Sequence, residues 1–122
     1  EESPADVGAA AKNAAEAGGE KAVTAAVLAA RAVAPMMARK IAATGAGPSE
    51  VATAVKVAVL ATDLPYVKAL NLVARQAAIA VCERDIAAGN SPSEVGAAAR
   101  VAVYAAGVHP DAIAALAGET AA

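Results

Sequence analysis

Ser91-Pro92-Ser93-Glu94-Val95-Gly96-Ala97-Ala98-Ala99-Arg100-Val101-Ala102-Val103 is the stretch on which the fold turns. A hydroxyl, a proline and then an acid three residues after the hydroxyl spell the start of a helix. Ser91 can accept from the free N–H of Glu94, Pro92 sits where no N–H is needed, and the Glu94 carboxylate can reach back to the Ser91 amide. Related wording occurs twice more, as SPADVGAAAKNAA from Ser3 and GPSEVATAVKVAV from Gly47. Pro4, Pro48 and Pro92 therefore stand 44 residues apart, with Val7, Val51 and Val95 in register and so too the bases Lys12, Lys56 and Arg100. A fixed period of this length is the mark of stacked supersecondary units. The register continues from Leu28 to Leu72 and from Arg31 to Arg75, then slips by one residue where Ile41-Ala42-Ala43 corresponds to Ile86-Ala87-Ala88.

Stops are as legible as starts. Gly18-Gly19, Gly45, Gly89-Asn90 and Gly107 can take the left-handed conformation that ends a helix. The sequence thus predicts an all-α fold of six helices, near 4 to 17, 20 to 44, 48 to 61, 64 to 88, 92 to 106 and 110 to 117. They form three helical hairpins in one compact domain over residues 1 to 122, with repeats at about 3–46, 47–90 and 91–122. Pro35 removes the bond to the Arg31 carbonyl and should kink the second helix. Alternating valines in Val55-Lys56-Val57-Ala58-Val59 and Val101-Ala102-Val103 also fit strands, but the caps before them and the alanines around them favour helix. On the segment from 64 to 88, Tyr66, Leu70, Val73, Ala77 and Val81 make one apolar stripe and Leu72, Ile79 and Ile86 a second, which predicts packing on two sides. Lys68 with Arg75 and Gln76 with Glu83 run between them. The first helix carries Lys12, Asn13 and Glu16 where the third and fifth have Val57 with Leu60 and Val101 with Tyr104, as a terminal repeat would. Gly8, Ala52 and Gly96 share one repeat position, which predicts close helix contact there, at Gly96 included.

Composition narrows the function. Of 122 residues 41 are alanine and 15 valine, with 6 leucines, 4 isoleucines, two tyrosines and neither Phe nor Trp, so small side chains must fill any core. Ten Lys and Arg against 12 Asp and Glu give a net charge of -2 with no basic cluster, which argues against nucleic acid. Val101 to Pro110, ten residues, is the longest run free of charged side chains, about half of a membrane span, and no signal-like segment opens the chain. Cys82 is the single cysteine, so no disulfide forms within the chain and a reducing compartment is allowed.

Catalytic constellations are scarce, and the sequence is read as that of a non-enzyme. His109 is the single histidine, which excludes a two-histidine haem or a His-rich metal site within one chain. Its place before Pro110 and Asp111 reads as the cap of the last short helix. Cys82 reads as a small buried filler, since nothing local activates its thiol. The serines lie at helix starts, and the glycines form no nucleotide-binding pattern.

Polar residues at positions the repeat otherwise fills with apolar ones are more informative. Asn71 stands where the previous repeat has Val27, Gln76 where it has Ala32, and Tyr66 where it has Ala22; Thr53 replaces Ala9 and Ala97, and Asn13 replaces Val57 and Val101. A buried amide costs about 1–3 kcal/mol unless paired, so these residues require a partner or exposure. They either converge on a ligand or mark a solvated edge. Met37, beside Met36 and the Pro35 kink, either walls a pocket or fills the gap left by the kink.

The repeated Ser-Pro-x-Glu-Val caps, the Gly-terminated helices and the pervasive alanine resemble de novo designed helical bundles and helical repeats. The resemblance is one of style across the whole chain, and the 18% charged content is lower than such designs usually carry. It implies a monomeric, non-catalytic protein enclosing a small, largely aromatic molecule in a central pocket, with no cofactor, metal, nucleic acid or membrane partner. The expected ligand-binding residues are Asn71, Gln76 and Tyr66, then Thr53, Tyr104 and Met37. The alternatives are a structural scaffold or assembly subunit without a ligand and, third, a haem protein with His109 as its one ligand.

Overall fold

A computed structural model describes residues 3 to 108, and among them the chain is helical without strands. Five helices follow one another: α1 (Pro4–Ala17), α2 (Ala22–Ala43), α3 (Pro48–Leu60), α4 (Tyr66–Ala87) and α5 (Pro92–Ala105). Short and long helices alternate as the sequence predicts, and both valine-rich segments that could have been strands lie inside α3 and α5. The described residues thus hold five helices rather than six; the sixth, expected at 110 to 117, and His109 lie outside them.

The helix starts follow the sequence signals. Ser3 accepts the Asp6 N–H at 3.2 Å, and Ser91 with Glu94 forms the full reciprocal box, at 3.2 Å from the Glu94 N–H and 2.9 Å from the Ser91 N–H. Gly47 has no side chain to offer, so only the Glu50 carboxylate takes part, accepting the Gly47 N–H at 3.2 Å. The bond from the Ser91 amide, together with the Ser91 hydroxyl, holds the Glu94 carboxyl below its ordinary value of 4.5, against a smaller opposing effect of burial. A carboxylate whose folded pKa is depressed adds stability above its unfolded pKa and loses it as pH falls through the folded value. The stability difference between the wild type and Glu94→Gln is therefore expected to vanish on acidification, in melts run from pH 7 to pH values below the carboxylate range.

Helix neighbours arrange the molecule in two rows. The short helices α1, α3 and α5 lie side by side in that order, the long helices α2 and α4 lie together, and each helix also packs on its neighbours in sequence. Among the described residues α1 and α5 do not touch, while α3 meets all four others. Five of its 13 residues are buried, Val51, Ala52, Val55, Ala58 and Val59. The largest fully buried side chains of the core are Met37, seven valines and Thr62. Alanines fill the rest, seven of them buried along α2 alone. Small side chains on facing helices let the axes approach until little space is left between them. Cys82 is buried, as the sequence predicts.

Three sequence expectations are corrected. Close approach at the shared glycine position holds for Gly8, where an added Cβ would collide with the Ala58 carbonyl oxygen and stand 3.0 Å from the Ala61 Cβ. At Gly96 an added Cβ would meet nothing within 4 Å, because α5 ends the row of short helices and no described helix crosses it there. The second stripe of α4 is not packed as the first is: Leu72 and Ile79 are half-buried and Ile86 is exposed, so α4 buries its face toward α2, α3 and α5 and leaves this edge open. Asn13, Val57 and Val101, which share one repeat position, are exposed in all three short helices, whereas at the next shared position Glu16 and Tyr104 are exposed and Leu60 is half-buried against the core. α2 runs through Pro35 unbroken. It is long and apolar enough to cross a membrane by length and composition, yet nine of its residues are buried within the fold.

The loops carry one break in the repeat. Gly19, Asp63 and Gly107 are spaced by the period and all have positive φ, of 98°, 67° and 91°. Aspartate tolerates this left-handed region better than most residues, but glycine enters it without the Cβ penalty. Asp63 gains an ion pair there, since its carboxylate accepts from the Lys12 ammonium of α1 and ties the first hairpin to the second. That hydrogen bond raises the Lys12 pKa above its ordinary 10.5, with burial opposing it. Asp63→Ala keeps the strained backbone and loses the pair. It is expected to be less stable than Asp63→Gly by about 1–2 kcal/mol, the cost of a left-handed alanine, as measured by denaturant titration of the two variants.

Candidate functional site

α2 and α4 run alongside each other, and their seam differs between its two ends. At the C-terminal end polar side chains bridge it beside an open depression of about 300 Å³ lined by Arg39, Ala42, Ala43, Ala80, Glu83 and Arg84. Arg39 of α2 pairs with Glu83 of α4 at 3.6 Å, and the Arg84 guanidinium donates to the carbonyl oxygens of Ala42, at 3.2 Å, and Ala46. A cation on the last carbonyls of α2 also meets the negative end of the helix dipole. Asp85, almost buried beside Arg84, accepts its Nε–H at 3.2 Å.

Toward the N-terminal end of α4 the seam opens into a half-open cleft of about 350 Å³ lined by Val27, Arg31, Leu64, Lys68, Asn71 and Leu72. Leu64 reaches it from the loop before α4 and is buried, while Val27 and Leu72 are half-buried, so these three give an apolar floor. Arg31, Lys68 and Asn71 are exposed and stand around it. Asn71 and Lys68 belong to one helical neighbourhood because three residues make nearly a full turn. Pro35 supplies no N–H to the Arg31 carbonyl, so that acceptor lacks its helical donor.

The six residues expected from the sequence are dispersed. Asn71 lines the cleft. Gln76 is half-buried further along α4, and Tyr66 is exposed at its first turn. Met37 is in the core at 2% exposure, a packing position. Thr53 is exposed on α3 and donates its hydroxyl to the Ser49 carbonyl at 2.9 Å, a bond within its own helix. Tyr104 is exposed on α5, in the row of short helices. The cleft residues that sequence reasoning did not select are Val27, Arg31, Leu64, Lys68 and Leu72. A partial signal existed, because Lys68 belongs to a thin polar line between two apolar stripes and Val27 is the repeat partner of Asn71.

Among the described residues no three His, Cys, Asp or Glu side chains come together as metal ligands, and no buried side-chain nitrogen or oxygen lacks a hydrogen bond. The cleft offers hydrogen-bond donors, one amide acceptor and apolar surface, which suits binding and orientation. No family model, curated protein or solved structure matches this chain.

Proposed function

We propose that the chain is a non-catalytic binding module that takes a small, largely aromatic molecule in the cleft between α2 and α4. The observation that supports this reading is the cleft itself, about 350 Å³ with an apolar floor of Val27, Leu64 and Leu72 and the Asn71 amide at its edge. Small-molecule sites are mostly apolar with a few placed polar groups, and their volumes start at about 300 Å³. The resemblance to designed helical binders points the same way. A net charge of -2 supports a small-molecule partner over nucleic acid.

The test is a fluorescence titration with N-phenyl-1-naphthylamine, a neutral two-part aromatic probe. Saturable binding that Leu72→Glu abolishes is the expected result. Asn71→Ala is expected to weaken binding by about 1 kcal/mol, roughly fivefold, through loss of one hydrogen bond. Its melting temperature should be unchanged or raised, because Asn71 is exposed and alanine is the better helix former. Absence of saturable binding, or binding indifferent to Leu72→Glu, would remove the reading.

A structural scaffold or assembly subunit is the second reading, favoured by Val57, Val101 and Tyr104 exposed on the row of short helices. Sedimentation separates the two. The binding module is expected to be a monomer, whereas an assembly subunit would associate and Tyr104→Lys would disperse it.

A further inference from the structure

We infer that the cleft between α2 and α4 selects anions, taking an apolar molecule that carries one carboxylate or sulfonate held by Arg31 and Lys68. The inference rests on the reading of the cleft as a small-molecule site and adds the chemical class of its ligand. Its lining includes two cations, one amide and no carboxylate. Three other bases are matched by acids: Lys12 pairs with Asp63, Arg39 with Glu83, and Arg84 with Asp85. Asp63 is next in sequence to Leu64 of the cleft, but its carboxylate is bound to Lys12 on α1. The cleft is thus left with its bases while the nearby acid is engaged away from it.

The wider charge distribution has the same sign. α2 contains Arg31, Arg39 and Lys40 and no acid, and α4 contains Lys68, Arg75 and Arg84 against Glu83 and Asp85. Both of those acids lie at least 12 residues along α4 from Asn71, about 18 Å at the helical rise. That is about twice the screening length at physiological salt. A chain with a net charge of -2 therefore presents a locally positive field at the cleft lined by Arg31 and Lys68, whereas the depression at the other end of the seam has the Glu83 carboxylate in its lining. A guanidinium offers a carboxylate or sulfonate two parallel N–H donors, and an ammonium adds a point charge from the neighbouring helix. The Asn71 amide is placed to donate to a third oxygen or to accept from a donor on the ligand body. Val27, Leu64 and Leu72 then cover the apolar part, and a volume near the lower end of the small-molecule range fits a body of one or two rings.

A matched pair of probes isolates the anionic group. 8-Anilinonaphthalene-1-sulfonate has the aromatic body of N-phenyl-1-naphthylamine plus one sulfonate. Titrated into the full chain at low salt, the sulfonate is expected to bind about tenfold more tightly than the neutral probe, with the preference shrinking as salt is raised. Arg31→Gln with Lys68→Gln should abolish the preference, so that the two probes bind this variant with equal affinity, with an unaltered circular dichroism melt showing an intact fold. Lys56→Gln with Arg100→Gln makes the same change of net charge on the short helices and should leave the preference in place. Equal affinity for the two probes, or a preference that survives the cleft variant or disappears in the control variant, overturns anion selection while the binding reading stands. Failure of both probes to bind overturns both.

Discussion

Gly8→Ala is expected to destabilise the protein by about 1–3 kcal/mol, while the same change at Gly96, one repeat position shared by both, is expected to stabilise it by about 0.5–1 kcal/mol. At Gly8 the new Cβ would lie inside the contact distance of the Ala58 carbonyl oxygen, 2.9 Å from its carbon and 3.0 Å from the Ala61 Cβ. Those are backbone atoms of α3 and a side chain with no freedom, so α1 would have to lift off, and overpacking of this kind costs about 1–3 kcal/mol. At Gly96 nothing lies within 4 Å of an added Cβ, so only the helix preference for alanine over glycine remains. Chemical denaturation of both variants beside the wild type measures the contrast. Two shifts of the same sign would show that the repeat position has one environment in both helices.

Met37→Ala is expected to lose about 2–5 kcal/mol, the range for emptying a fully buried methionine site. Met37 is the largest fully buried side chain, in a core made mostly of valine and alanine. Neighbouring alanines have no rotamers with which to fill the space, which argues for the upper half of the range. The measurement is a thermal or urea melt, and its companion is a titration of N-phenyl-1-naphthylamine in native buffer. A buried packing residue outside the cleft lining should change the melt and leave the probe affinity of the folded protein unaltered. A small loss of stability with a large loss of affinity would place Met37 at the ligand instead.

Sequence reasoning reached the helices because their signals are local. Ser91, Pro92 and Glu94 specify a start within four residues, and the glycines after each helix specify a stop, so the bounds of α1, α3 and α5 fall within a residue or so of those read from the sequence. Environment is different, since it depends on which helix lies opposite. Gly8 and Gly96 share the local sequence Val-Gly-Ala-Ala-Ala, yet one is pressed against α3 and an added Cβ at the other would meet nothing within 4 Å. The candidate site shows the same division. Asn71 was legible as a polar residue at an apolar repeat position, and it does line a cleft. Thr53 was selected on the same ground as Asn71 and Met37 for its place beside Pro35, and the fold satisfies both locally, one by the Ser49 carbonyl and the other by burial. Arg31 and Lys68 look in sequence like ordinary surface bases; only the lateral pairing of α2 with α4 puts them beside the same cleft.

The position of α1 sets how the molecule comes apart. One residue of α1, Gly8, is buried, against nine in each long helix, and beyond packing its tie to the second hairpin is the Lys12–Asp63 pair. Opening of α1 therefore gives up few buried side chains of its own, and its amides are expected in the least protected part of a graded hierarchy of local unfolding. α2, α3, α4 and α5 then form the cooperative unit, with α3 as the element that cannot leave without the others. Because the cleft is lined from α2, α4 and the loop between α3 and α4, excursions of α1 leave it standing. The cleft proposed for binding and the most frequent breathing motion thus belong to separate parts of the chain.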